Sequence, residues 1–153
     1  MNPSPAAREV WRGLRCTRIT LPHGDSVRVS DFGAQVLSWN ARGQERMFLS
    51  DRAVLDGTAA IRGGVPVCFP QFNQRGPLPK HGLARRTTWD WLGAEVQGHA
   101  VTARWQWAAA APLHPDFPHA LQAELAVTLS PDALQITLSD TNTGSTAFAF
   151  TGA

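Results

Sequence analysis

Apolar and polar residues alternate with a period of two over much of this chain. The clearest stretch sets Val101, Ala103, Trp105 and Trp107 against Thr102, Arg104 and Gln106. Leu121, Ala123, Leu125, Val127 and Leu129 repeat the pattern against Gln122, Glu124, Ala126 and Thr128, and Leu134, Ile136 and Leu138 follow. Alternation of this kind puts one row of side chains on each face of a half-buried strand. In the first half, Cys16 to Leu21 reads as a strand. Val27 to Trp39 carries the strongest early sheet signal, with a bulge or bend expected at Gly33-Ala34. Met47 to Leu49 reads as a short return strand, Thr87–Val96 and Ala100–Trp107 as a hairpin about Gln97-Gly98, and Ala147–Thr151 as the start of another strand.

Turn chemistry separates these runs. Pro22 to Asp25, Asn40 to Gln44, Ser130 to Asp132 and Thr141 to Ser145 are rich in residues that suit turns. Asp51 to Gly57 reads as a surface connection, Ala108 to Pro118 as a proline-containing loop, and residues 1–10 as a loose lead-in before a single domain over residues 11–153. No amphipathic run is long enough for a substantial helix, and no internal repeat is present. Many short strands with frequent turn signals predict an all-β protein, an antiparallel sandwich or barrel.

Composition narrows the function classes. Over 153 residues, hydrophobic residues make up 43% and charged residues 17%, with six Trp. The charged fraction lies below the usual ~25%, which fits a β-rich domain with a lightly charged surface or a piece that expects more protein against it. A net charge of +2 is too small and dispersed for a nucleic-acid footprint. No apolar run reaches the length of a membrane span, and the amino-terminal stretch lacks the apolar core of a secretory signal. Cys16 and Cys68 have no metal or redox spacing and read as reduced structural thiols, which points to a cytoplasmic protein.

Candidate chemistry concentrates between Ala60 and Trp91, AIRGGVPVCFPQFNQRGPLPKHGLARRTTWDW. Its many glycines and prolines preclude one helix or strand and predict an ordered loop that aims a few polar side chains from a rigid scaffold. His81 lies between Lys80 and Gly82, on an accessible loop; taken alone it could be an ordinary surface histidine. Arg62 adjoins Gly63-Gly64, where the backbone is expected to let a ligand come close, and Arg85 follows His81 by four residues. Guanidinium groups are the best side-chain hosts for phosphate, because they donate paired, charge-assisted hydrogen bonds. Arg75 and Arg86 are weaker candidates, since Arg85 and Arg86 point opposite ways on a strand. Gln71 and Phe72 offer an amide beside an aromatic face, a common pairing in sugar sites, although Phe72 could equally be core. Trp89 and Trp91 read as core. The aspartates show no spaced pair for glycoside hydrolysis, the serines no nucleophile elbow, the remaining histidines no metal-ligand pattern, and Gly63-Gly64 is no dinucleotide fingerprint.

The blocks IRGGVPVCFPQF and HGLAR, followed by a Trp-rich strand and preceded by GAQVLSWNARGQERMFLS, resemble the aldose 1-epimerase superfamily, most closely its hexose-6-phosphate mutarotases. The likeness spans nearly the whole chain but only the N-terminal part of the family domain. It implies a large β-sandwich of the galactose mutarotase type and an isomerase that interconverts the α and β anomers of an aldose 6-phosphate such as glucose 6-phosphate. His81 would contact substrate and stabilise charge, and Arg62 and Arg85 would clamp the phosphate, with Gln71 and Phe72 lining the sugar. The family's general-acid histidine and general-base glutamate would lie beyond FAFTGA, in a missing C-terminal half or a second chain. Ring opening and closure require proton transfers alone, so no metal or organic cofactor is expected. The alternative is a non-catalytic carbohydrate- or phosphosugar-binding module on the same sandwich.

Overall fold

The computed structural model describes residues 4–110 and 112–153. Nine strands form two antiparallel sheets, each ordered as in the chain. The first sheet contains β1 (Ala6–Trp11), β2 (Leu14–Thr20), β3 (Ser26–Ser30), β4 (Gln35–Ala41) and β5 (Gln44–Glu45). The second contains β6 (Asp90–Gln97), β7 (Ala100–Ala109), β8 (Leu121–Leu129) and β9 (Leu134–Asn142). The fold is therefore all-β and antiparallel, and among the described residues the helical content is one 3-10 turn at Ala84–Arg86.

The alternating rows become the faces between the sheets. Ile19, Val27, Val29 and Val36 of the first sheet join Val101, Ala103, Trp105, Leu125 and Val127 of the second in one buried core. The opposite row of β7 and β8 is hydrated and paired instead. Thr102 and Thr128 share a hydrogen bond of 2.8 Å, and Arg104 reaches Glu124 at 3.0 Å and Glu95 at 3.2 Å. The first sheet is covered on its other face too, where Cys16, Phe32, Leu37, Leu55 and Ile61 form a second cluster. Both cysteines are free and buried, and burial lifts the Cys16 thiol to about 12.

Four expectations shift. Residues 6–10 are no loose lead-in, because β1 pairs with β2 along its whole length from Ala6↔Ile19 to Trp11↔Leu14. Gly33-Ala34 is no bulge within one strand. Both residues have positive φ (75° and 45°) and reverse the chain, so that Ser30 faces Gln35; the bulge lies at Arg28/Val29. The short return strand is Gln44–Glu45 rather than Met47–Leu49, reached through a hairpin turn with positive φ at both Arg42 and Gly43. Ala147–Thr151 forms no strand. Instead, residues 151–153 lie along 68–70: the Cys68 and Ala153 backbones exchange hydrogen bonds of 2.8 and 3.1 Å, and Thr151 N–H donates to the Pro70 carbonyl at 3.1 Å.

Candidate functional site

The residues from Ile61 to Trp89 connect the two sheets, and their shape is set by packing against β4. Gly64 N–H donates to the Phe48 carbonyl at 2.7 Å and Val65 N–H to the Val36 carbonyl at 2.9 Å. At Gly64 (φ 62°) an added methyl carbon would run into the Val36 carbonyl oxygen; at Gly63 it would sit 2.5 Å from the Phe48 oxygen. The glycine pair thus serves close packing of backbone on backbone, not the close approach of a ligand expected from the sequence. Gln35, fully buried, ties this segment down by donating from Nε2 to the carbonyls of Ile61 (3.2 Å) and Gly63 (2.6 Å). It therefore holds the residues on both sides of Arg62. No sequence signal beyond its place in the GAQVLSWN block marks it. Arg62 itself is exposed, and its side chain has no hydrogen bond or ion pair among the described residues.

Gln71 has a different task from the substrate contact expected of it. It is 3% exposed, its Nε2 donates to the carbonyls of Asn73 (2.9 Å) and Leu78 (3.0 Å), and its Oε1 accepts from Leu78 N–H (2.8 Å). Both ends of the amide are thus engaged across the base of the 71–79 loop. The next residue, Phe72, is half-buried and anchored through its N–H to Thr151 Oγ1 at 2.7 Å. Its ring lies 5.3 Å from the His81 ring and 5.6 Å below the Arg75 guanidinium.

His81 closes the loop. Its backbone N–H donates to the Asn73 carbonyl at 3.0 Å, and Asn73 N–H donates to its Nδ1 at 3.1 Å. Nδ1 is therefore an acceptor, and in the neutral ring the proton sits on Nε2. Its pKa is lowered from 6.5, first by desolvation and then by the positive charges of Arg85 and Lys80. His81 also has φ 66°, a left-handed backbone uncommon outside glycine, held in place by the paired bonds to Asn73. Gly82 follows with φ 73°, where an added methyl carbon would meet the Phe69 carbonyl oxygen at 2.5 Å; that same oxygen accepts from Leu83 and Ala84 N–H, each at 3.1 Å.

The 3-10 turn carries the two arginines apart. Arg85 donates from Nη2 to the Lys80 carbonyl at 2.9 Å, which aims the guanidinium back toward the His81 loop. Its pKa is lowered chiefly by burial, with added repulsion from Arg86 and Arg62. Arg85 thus feels the charge of Arg62, and its own charge acts on His81. Arg86 is exposed and lines another cleft with Arg8, Arg15 and Trp91. Trp89 is core, with its Nε1 donating to the Ala84 carbonyl at 3.1 Å.

Phe72 and His81 thus lie ring beside ring and Arg85 is tied to the same loop through the Lys80 carbonyl, while Arg62 lies on the separate segment held by Gln35. This cluster is an open surface. Clefts of about 820 and 880 Å³ lie elsewhere, one beside Arg86 and Trp91 and one beside Leu21 and Val96, and neither includes His81, Arg62 or Arg85. The His81 imidazole and the Arg85 guanidinium tied to its loop are a better guide to chemistry than the size of a hollow.

The family model described as aldose 1-epimerase matches residues 16–153. This chain belongs to the aldose 1-epimerase family. A protein of Cenchrus ciliaris described as "Putative glucose-6-phosphate 1-epimerase" is 33% identical over 161 residues, covering 98% of this chain and 46% of that protein. A protein of Escherichia coli K12 with the same description is 48% identical over 61 residues, 37% of this chain and 20% of its own length. The crystal structure of a "putative mutarotase" from Salmonella typhimurium superposes with a TM-score of 0.79 at 24% identity, over 92% of this chain and 48% of that one. A galactose mutarotase-like protein from Clostridium acetobutylicum gives 0.72 at 17% identity, over 90% and 48%. These two likenesses establish the fold, a galactose mutarotase-like sandwich. The chain spans about half the length of the Cenchrus ciliaris protein and of these two solved structures.

Proposed function

We propose that this aldose 1-epimerase family chain supplies the phosphate grip and one substrate-facing imidazole of a mutarotase acting on an aldose 6-phosphate such as glucose 6-phosphate. The observation that supports the reading is Arg85, whose guanidinium is turned onto the Lys80 carbonyl of the His81 loop at 2.9 Å and feels the repulsion of Arg62. The Arg62 and Arg85 guanidinium groups, neither of which is bound to a carboxylate among the described residues, fit a phosphate monoester dianion, and a ligand of that charge relieves the repulsion that Arg85 feels from Arg62. The descriptions of the 33% identical and 48% identical relatives support the same substrate class.

Mutarotation removes the proton from the anomeric hydroxyl while the ring oxygen is protonated. The ring opens to the aldehyde, the C1–C2 bond rotates, and closure on the other face gives the second anomer. In this scheme His81, neutral and protonated on Nε2, donates a hydrogen bond to a sugar oxygen and polarises it. Phe72 backs the imidazole. Gln71 and Gln35 act as positioning residues, one shaping the His81 loop and the other holding the segment that bears Arg62. The general acid and general base come from outside the residues of this cluster.

A second reading has its own support. Among the described residues no carboxylate is hydrogen-bonded to His81, Arg62 or Arg85. A non-catalytic phosphosugar-binding module needs none. Anomer exchange of glucose 6-phosphate, followed by magnetisation transfer between its α and β C1 protons, separates the two. Exchange above the spontaneous rate supports the mutarotase; binding with exchange at the spontaneous rate supports the module. Arg62→Ala and Arg85→Ala should each weaken glucose 6-phosphate binding by about ten- to a hundredfold, and glucose binding far less. Equal losses for both ligands would overturn the clamp.

A further inference from the structure

Phe48 is 77% exposed, an unusual position for a phenylalanine. Its surroundings are ordered. Leu49 bridges Gly63 in antiparallel register, flanked by Gly64 N–H to the Phe48 carbonyl at 2.7 Å and Ser50 N–H to the Arg62 carbonyl at 3.0 Å. Gly63 and Gly64 both have positive φ (124° and 62°), so the 62–64 segment meets residues 48–50 through a single bridge and its two flanking hydrogen bonds. Leu49 turns inward, against the cluster of Leu14, Phe32 and Leu37. Phe48 is turned outward, on the segment whose Ser50 N–H donates to the Arg62 carbonyl. The residue across from Phe48 is Gly64, which lays no side chain over its ring. The ring takes part in no aromatic pair and lies under no arginine among the described residues, in contrast to Phe72 and Trp91.

We infer that Phe48 is a specificity-determining residue: an aromatic platform beside Arg62 that packs against the C–H face of a pyranose whose phosphate is held by the arginine pair. The inference rests on the phosphosugar reading of the site and adds to it a group that recognises the sugar rather than the phosphate. A pyranose presents a patch of C–H bonds on one face, and an aromatic ring accepts that patch where a polar side chain could not. The hydrogen bond from Gly64 to the Phe48 carbonyl ties platform and clamp to one backbone ribbon, so their spacing is fixed before ligand arrives.

The test compares two probes, glucose 6-phosphate and inorganic phosphate, by calorimetric titration of wild type, Phe48→Ala, Phe48→Leu and Phe48→Tyr. Phe48→Ala is expected to weaken glucose 6-phosphate about three- to tenfold, the range of an aromatic contact, and to change inorganic phosphate less than twofold. Phe48→Tyr should keep wild-type affinity, and Phe48→Leu should lose most of the difference, because it is apolar without a ring face. The exposure of Phe48 leaves folding unaffected, and an unchanged thermal midpoint checks this. If Phe48→Ala binds both probes as wild type does while Arg62→Ala still loses both, the platform is overturned and the clamp stands. Equal losses for both probes also overturn the platform. If wild type binds neither probe, clamp and platform fall together.

Discussion

His81 combines three constraints on one residue: a left-handed backbone, a tautomer set by Asn73, and two cationic neighbours. Its pKa lies below the usual 6.5, so the folded state binds this proton less readily than the unfolded chain does. The stabilising share of the neutral ring is therefore complete above about pH 6.5 and is lost as pH falls through the lower folded value. A proton NMR titration should place the His81 midpoint below that of the unfolded chain. Arg85→Ala should raise it only part of the way, since desolvation is the leading cause. Gly64 makes the opposite point about residue chemistry. Gly64→Ala drives a carbon into the Val36 carbonyl and strains a positive φ, and the expected loss is about 3–5 kcal/mol in a denaturant melt. A mere ligand-approach glycine would tolerate the change in fold and lose binding alone.

At the scale of elements, the 71–79 loop depends on Gln71. Replacing it by Leu leaves the Leu78 N–H and carbonyl without their partner, and the Asn73 carbonyl with the His81 N–H alone, at a cost of about 1–3 kcal/mol. The sheets do not touch that amide, so Gln71→Leu should reduce phosphosugar binding at temperatures where circular dichroism still reports an intact β fold. Loss of binding only in step with global unfolding would contradict a local role. The sequence shows β7 and β8 plainly, because period-two alternation and burial are the same fact seen twice. It misplaces Gly33-Ala34 because positive-φ residues serve bulges and reversals alike, and only the pairing of Ser30 with Gln35 decides. It assigns Gly63-Gly64 to a ligand because the true neighbours, Val36 and Phe48, are distant along the chain. For Gln71 the residue type was legible but the direction of its amide was not. Arg85 and Arg86 diverge as alternation predicts, yet they do so in a 3-10 turn rather than on a strand.

Across the whole molecule, one carboxylate joins the two sheets near the edge. Asp31 accepts a fork from Arg8 of β1 at 2.8 and 2.5 Å, and Trp105 of β7 donates to it at 3.0 Å. Arg8 also reaches Thr17 at 2.6 Å and lies over the Trp91 ring at 4.8 Å. Asp31→Ala would strand a guanidinium and an indole N–H at once, and the expected loss is about 2–4 kcal/mol in a thermal or denaturant melt. Arg8→Ala together with Asp31→Ala should lose less than the two single losses added, since the second change removes a charge already unpaired. The seam between residues 68–70 and 151–153 sets a different kind of limit. On a ribosome the amino-terminal sheet and the histidine loop emerge several seconds before their partner segment, at about 5–20 residues per second. Until Thr151 arrives to cap the Phe72 N–H, a nascent chain carries Arg62, His81 and Arg85 with the loop still unlatched, so the phosphosugar affinity proposed for this site should appear only as translation passes that point.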